Sequence, residues 1–551
     1  MDNFRRPKRS KRGFAIDGML RSPRPSGGVG DFHRKPVPTV TRRQQPERRP
    51  QLGNFKQTDG FKASAQPTLP SATPFKKAVD KQLAEEPVQK KKRGLHRRSK
   101  ADRKARRSQH KWRTLAKRTS LALMVLVLVG GGFVGAKAYM KSRKVLQGGG
   151  SAVALQENVD PSQLKVEGDG RINILLLGRG GDGHEGPDLT DTLLVASIDP
   201  ISKEAGLVSI PRDMWVKPAG ASYTKINAVY ANAKYKVQDG KKIPNQAQEA
   251  EKAGQAAIEK TVEDTLGIPI HYHVMVDFEA FRKSIDTVGG VDINVKNQLY
   301  DPSVAWENNW NPLIAAVGQQ KFNGNKALLY VRSRHGSARG DFDRAERQRE
   351  MLVALKDKVL SLGTFGNPVK VSQLLDAFGD HVETNFGSGE VMKLYNIAKQ
   401  IPSNKVVSVG LADPPNDFIT TDMVAGQSVV VPKAGIGDYA AIQSYIRNTL
   451  KDSYIKDENA AILVFNGTNK AGLATTKANL LKSYGYNVGE VADAPTKDYT
   501  KTQLIDLRDG KKKYTKHYLQ KRLGVNATTK LPEGINPGTA DFVIVLGQQT
   551  E

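Results

Sequence analysis

The sequence predicts an α/β protein: a central sheet sandwiched between helices, preceded by a basic arm and one apolar span, and followed by a smaller α/β unit. Three observations carry this. Short apolar runs ending in glycine or a polar residue alternate with longer stretches of helical periodicity. The positive charge is concentrated before residue 119, so the remainder is close to neutral. The strand, glycine turn, helix, strand order then returns after residue 459.

Residues 1–118 carry 34 basic and 9 acidic residues, +25 of the chain's +29. Stretches such as "RSPRPSGGVG" cannot bury enough apolar surface to offset chain entropy, so a disordered arm is expected. The arm runs directly into "TSLALMVLVLVGGGFVGAKAYM", residues 119–140, with no charge from Leu121 to Ala136. About 20 such residues cross a hydrocarbon core of ~30 Å, and Lys137 can snorkel. The preceding lysines and arginines place the arm in the cytoplasm and the later residues outside, as a single-pass protein of the cell membrane. The arm abuts this span and has few interleaved aromatics. It therefore suits anionic lipid headgroups, and no nucleic-acid partner is expected. The absence of cysteine excludes disulfides, thiolate-bound zinc and thiol catalysis.

Residues 141–168, with "QGGGSAVALQ", read as a stalk before a first domain at 169–453. "RINILLLG" is a wholly apolar run, as in a strand buried on both faces. "DTLLVASID" and "EAGLVSIPRD" follow as strands. "NQAQEAEKAGQAAIEKTVEDTL" is an amphipathic helix closed by Gly267, and "VDFEAFRKSIDTVGG" is a shorter helix. "VDINV" alternates like a strand, whereas "RAERQREMLVALKDKVLSL" and "SGEVMKLYNIAKQI" have helical periods. The second unit, 457–551, opens with the strand "AAILVFN" and ends with "DFVIVLGQQ". Its Lys511–Lys513, Lys516, Lys521 and Arg522 read as a solvated basic face.

Between Tyr330 and Glu350 the chain packs six arginines. Arg332 and Arg334 read as strand residues on one face. Arg344, Arg347 and Gln348 share a helical face entered at Asp341. Asp188 and Asp191 lie where a loop enters a strand, and Arg212 and Asp213 where another strand ends. Guanidinium pairs match phosphate oxygens, and one or two carboxylates would hold a Mg²⁺ bridging them. The pattern asks for a pyrophosphate, or else forms an internal ion-pair network.

"NILLLG", "TDTLLVASIDP", "SIPRD", "KINAVYA", "GIPIHYHVMVDFEAFRKSIDTVGGVDINV", "ALLYVRSRHG" and "GDFDRAERQRE" occur in an order that resembles the LytR-CpsA-Psr family of cell-wall glycopolymer ligases. The final "ILVFNGTNKAGLA" and "DFVIVLG" resemble the LytR-type C-terminal domain of some members. The resemblance implies a mixed central sheet and an extracytoplasmic phosphotransferase. Such an enzyme moves a glycopolymer from a polyprenyl-pyrophosphate carrier to a peptidoglycan sugar hydroxyl. It implies Mg²⁺, with Mn²⁺ as an alternative, on Asp191; catalytic Arg212, Asp213 and Asp341; and pyrophosphate contacts from Arg212, Arg332, Arg334, Arg344, Arg347 and Gln348. The loop "GRGGDGHEGPDLTDT" departs from the family pattern, with Leu189 where an arginine is common. Asp182, Glu185 and Asp188 are then the candidates for the second metal acid, and Arg179 for the replacement cation. His184 and His335 read as solvated. No site residue falls in the C-terminal unit, which is expected to be dispensable for the chemistry. The competing readings are a hydrolase of the same lipid pyrophosphate and a non-catalytic glycan-binding tether or regulator.

Overall fold

The computed structural model describes residues 146, 148–361, 379 and 381–550. The basic arm and the 119–140 span lie outside the described residues, among which no helix is long and apolar enough to cross a membrane.

The described elements begin with β1 (Ile172–Arg179), β2 (Thr190–Asp199) and β3 (Glu204–Ser209). Helices α1 (Val229–Gln238) and α2 (Gln246–Leu266) follow, then β4 (Tyr272–Asp277) and α3 (Phe278–Thr287). After α4 (Gly324–Arg332) and α5 (Asp341–Ser361) come β5 (Val382–Thr384), α6 (Ser388–Ala398), β6 (Val406–Gly410) and α7 (Ala440–Thr449). The central sheet has the order β5-β4-β1-β2-β3-β6. It is mixed: β1 runs parallel to β4 and antiparallel to β2, and β3 runs parallel to β6.

Strand alternation splits the apolar residues of β1 between two cores. Leu175 and Leu177 join Leu193, Val195 and Val208 beneath Tyr230 of α1, Ile258 and Val262 of α2, and Ile442 and Ile446 of α7. Ile172 and Ile174 face the other way, toward Tyr272, Phe386 and the α6 residues Leu394 and Ile397. Helices therefore cover both faces. Val291–Val295 pairs antiparallel with Gly318–Phe322 outside this sheet, over a separate core with α4.

The segment read as a stalk is packed from residue 148 onward. Ala152, Ala154 and Leu155 seal the second face of the sheet, while Val159 and Leu164 lie in the core of the C-terminal unit. That unit comprises α8 (Ser453–Glu458), β7 (Ala461–Asn466), α9 (Leu473–Ser483), β8 (Asn487–Asp493), β9 (Gln503–Asp506), α10 (Lys513–Leu523), β10 (Ala527–Thr528) and β11 (Phe542–Leu546). Its sheet order is β8-β7-β11-β9-β10.

The two units share polar contacts as well as apolar ones. Arg522 grips Glu167 through Nε at 2.6 Å and Nη2 at 2.8 Å, and Tyr486 donates to the same carboxylate. Lys521 reaches the carbonyls of Leu164 and Lys165, while Lys516 pairs with Asp506 inside the C-terminal unit. These residues are thus not all a solvated basic face: Arg522 and Lys521 bind the incoming segment. Gly170 has to be glycine here, since a Cβ would lie 2.5 Å from an Asp452 oxygen.

Candidate active site

Three chain segments meet beyond the ends of β2 and β3. Asp191 enters β2, Arg212 and Asp213 follow Pro211 after β3, and Asp341 begins α5. Arg212 donates from Nη1 to Asp191 Oδ1 at 2.9 Å, and its Nε lies 3.5 Å from Asp213 and 4.0 Å from Asp341. Arg344 pairs with Asp341 at 2.9 Å and donates to the Asp191 carbonyl at 3.0 Å. Asn227 donates to Asp191 Oδ1 at 3.0 Å, and Lys225 pairs with Asp213 at 2.9 Å.

Three buried polar atoms in this cluster have no hydrogen-bond partner: Arg212 Nε, Arg344 Nε and Asp341 Oδ1. Buried polar groups are normally satisfied, because a lone donor out of water costs about 1–3 kcal/mol. Two unmet guanidinium N–H groups beside one another are suited to an oxyanion.

The charges are consistent with that. Burial works against the Asp191 carboxylate, but Arg212, the Asn227 hydrogen bond and Arg344 together hold its pKa below the ordinary value. Burial lowers the Arg344 pKa, against the pull of Asp341, with Arg212, Asp191 and Arg334 also acting on it. Arg212 is moved upward: burial opposes its charge, and Asp191, Asp213 and Asp341 outweigh it.

Several sequence expectations are corrected. Arg332 and Arg334 are not on a strand. "ALLYVR" closes helix α4, capped at Asn323, whose side chain accepts from the Lys326 amide. Arg332 ends the helix, pairs with Glu307 at 2.8 Å and lies over the Phe278 ring at 4.6 Å. Arg334 follows beyond the helix, half-buried and close enough to act on Arg344, with no ion-pair partner among the described residues. Arg347 donates to the carbonyls of Tyr330 and Ser333, and Gln348 to Thr192 and the Val331 carbonyl. Both pin α5 onto α4 and β2, because their donors lie on the buried side of α5. The apolar residues of α5 outside the buried Met351 are half-buried.

The metal candidates separate. Asp188 takes Arg179 at 3.0 Å, Lys234 at 3.0 Å and the Tyr235 hydroxyl at 2.9 Å, which leaves it saturated by donors. Arg179 also pairs with Glu383 at 2.7 Å and contacts the Tyr230 hydroxyl. Burial opposes its charge, yet Glu383, Tyr230 and Asp188 raise its pKa. Asp182, Glu185 and His184 are exposed, and His335 is too. Among the described residues no three-acid cluster could hold a metal ion. A Mg²⁺ carried largely by substrate phosphates needs only one or two carboxylates. The carboxylates of Asp191 and Asp341 are hard oxygen donors suited to that role, with Asp341 Oδ1 shared with Arg344 at 2.9 Å, whereas Asp188 is already occupied by three donors.

The sequence reading overlooked Lys225 and Asn227 of "KINAVYA", which orient Asp213 and Asp191; polar residues bracketing an apolar turn were the available signal. It also overlooked Asp413. This acid takes Arg339 at 3.0 Å and Arg349 from α5, tying the arginine loop to the end of β6.

Comparison with known proteins gives the lineage. The LytR-CpsA-Psr family model matches residues 136–434, more than half of the chain. A model described as the LytR cell envelope-related transcriptional attenuator matches 459–549. The cell wall biosynthesis protein LcpA of Corynebacterium glutamicum is 28% identical over 348 residues, 59% of this chain and 63% of that protein. The Bacillus subtilis polyisoprenyl-teichoic acid–peptidoglycan teichoic acid transferase TagV is 33% identical over 225 residues, 40% of this chain and 51% of that one. The chain thus spans between half and two thirds of the length of these two relatives. The crystal structure of B. subtilis TagV aligns with a TM-score of 0.38 at 28% identity, covering 51% of this chain and 97% of that one. The chain belongs to the LytR-CpsA-Psr family.

Proposed function

We propose that this protein is a membrane-anchored, extracytoplasmic phosphotransferase that moves a glycopolymer from a polyprenyl-pyrophosphate carrier to a peptidoglycan sugar hydroxyl. The observation that carries the reading is the pair of buried, unmet donors, Arg212 Nε and Arg344 Nε, beside the carboxylates of Asp191, Asp213 and Asp341. TagV, the relative named above, bears a name that describes the same class of transfer.

In this reading Arg212, Arg344 and Arg334 hold the pyrophosphate oxygens and neutralise charge on the departing polyprenyl phosphate. The acceptor oxygen forms a bond to the phosphorus attached to the glycopolymer, and the bond from that phosphorus to the bridging oxygen breaks. The hydroxyl proton passes to a carboxylate. Asp213 and Asp191, both beside Arg212, are the carboxylates placed to take it. Mg²⁺ or Mn²⁺, held by Asp191 and Asp341, would add Lewis-acid stabilisation of the phosphate oxygens. The 119–140 span anchors the enzyme, and the basic arm lies against anionic lipid on the cytoplasmic side.

The test incubates the full chain in detergent with a polyprenyl-pyrophosphate sugar, Mg²⁺ and glycan strands. Transfer yields polyprenyl phosphate together with a sugar phosphate joined to the strand, and only when strands are present. Equal release of polyprenyl phosphate without strands would establish the hydrolase instead. Binding of strands with the donor left intact would establish the tether.

A further inference from the structure

Two of the four tryptophans of the chain lie in the stretch "WENNW", and both are turned to solvent: Trp306 is 64% exposed and Trp310 81%. Trp215, by contrast, is 8% exposed. Their loop joins the short paired strands Leu299–Tyr300 and Leu313–Ala315. Its base is fixed. Asp301 is fully buried and accepts from the amides of Ser303 and His335 and from the hydroxyls of Ser303 and Ser333. Gly336 of the arginine loop approaches so closely that a Cβ would meet the Tyr300 carbonyl at 1.8 Å. Glu307, between the tryptophans, pairs with Arg332, which covers Phe278, whose ring meets that of His184 edge-on at 5.0 Å. The loop is thereby tied to the segment from Arg332 to Gly336, which also carries Arg334, a proposed pyrophosphate contact.

The backbone at the tip is costly. Asn309 and Trp310 both have positive φ, 52° and 60°. A tryptophan in the left-handed region is disfavoured by its Cβ, and exposure of its ring returns no packing. The charge pattern selects the occupant. From Asn297 to Gln320 there is no lysine or arginine, and the two acids are Asp301 and Glu307. The arginine that reaches the loop, Arg332, is already paired with Glu307, so an anionic headgroup or polymer finds no free cation on the loop itself, whereas an uncharged sugar ring can stack on an indole face.

We propose that Trp306 and Trp310 form a stacking platform for the sugar rings of the acceptor, a glycan strand of N-acetylhexosamines. The proposal rests on the transfer reading. The donor offers phosphates for the arginines to hold. The acceptor's sugar rings instead offer hydroxyls, acetamido groups and apolar ring faces, and need a surface of this other kind.

The test titrates the full chain in detergent with a chito-oligosaccharide, without donor or metal, by calorimetry. Trp306→Ala/Trp310→Ala should weaken binding about tenfold or more, the loss expected for aromatic stacking, with donor affinity and melting unchanged. Trp310→Gly should also lose affinity while melting no lower than wild type, because glycine relieves the left-handed backbone. Unchanged oligosaccharide affinity in the double variant overturns the platform. So does a fall in melting for Trp310→Gly, which would make the ring structural. Loss of anionic-vesicle binding or of self-association in place of oligosaccharide binding overturns it as well. Arg212→Ala separates the two proposals: it should stop transfer while oligosaccharide binding persists.

Discussion

Tyr518 of α10 donates its hydroxyl to Asp452 Oδ2 at 2.9 Å, and the same oxygen accepts the amides of Gly168 and Gly170 at 2.9 and 2.8 Å. The other oxygen caps α8 through the amides of Tyr454 and Ile455. One buried carboxylate thus joins the strap before β1, the end of the first domain and the C-terminal unit. Burial pushes its pKa upward against these donors.

The C-terminal unit contains none of the proposed site residues, yet it is not a detachable module. Removing residues 459–551 would expose Val159, Leu164, Tyr454 and Ile455 and strip Asp452 of Tyr518. In the full chain, Asp452→Ala should cost about 3 kcal/mol or more, since it leaves buried amides unmet and uncaps a helix. Tyr518→Phe should cost about 1 kcal/mol. Denaturant unfolding checks both, and wild-type stability in Asp452→Ala would refute the coupling.

The arginines of the cluster should divide by partner. Arg347 is buried and holds two backbone carbonyls, so Arg347→Ala should lower stability by about 2–4 kcal/mol. Arg334 lacks an ion-pair partner among the described residues, and Arg334→Ala should weaken donor binding with little change in melting. Calorimetry of donor binding beside thermal melting distinguishes them; the reverse pattern would exchange their roles.

Asp191 and Asp188 offer a similar contrast. Asp191→Asn should remove the Mg²⁺ dependence of donor binding. Asp188→Asn should leave that dependence intact, because Asp188 is occupied by Arg179, Lys234 and Tyr235. Metal titrations of donor affinity decide the matter. Equal loss in both variants would restore Asp188 as a ligand.

The lowered pKa of Asp191 also fixes a pH dependence. A depressed carboxyl stabilises the fold above its unfolded value, and that contribution is lost as pH falls through the folded value. The stability difference between wild type and Asp191→Asn should therefore hold steady down to the ordinary value of 3.8 and close below it. Unfolding curves across acidic pH measure this. A gap that closes nearer neutrality would mean that Arg212 does not hold the carboxylate.

Local sequence determined the element types where periodicity or capping was unambiguous. Helix α2 closes at Gly267, α3 is capped by Asp277, and α5 opens at Asp341, each legible from neighbouring residues. The apolar run of β1 marked a strand buried on both faces, and it became the centre of the mixed sheet. The Asp191, Arg212, Asp213, Asp341 and Arg344 grouping was legible as residue types at strand and helix ends.

The tertiary structure decided the rest. "ALLYV" is buried throughout, so neither a period of two nor one of 3.6 residues can show in it, and only its packing makes it a helix. The assignment of Arg332 to Glu307, of Arg347 to backbone carbonyls, and of Asp188 to Arg179 and Lys234 depends on partners that, except for Arg179, lie 14 to 46 residues away. The supposed stalk became part of two cores for the same reason. A charged or apolar side chain announces in sequence that it needs a partner, but only the folded chain determines which partner comes within reach.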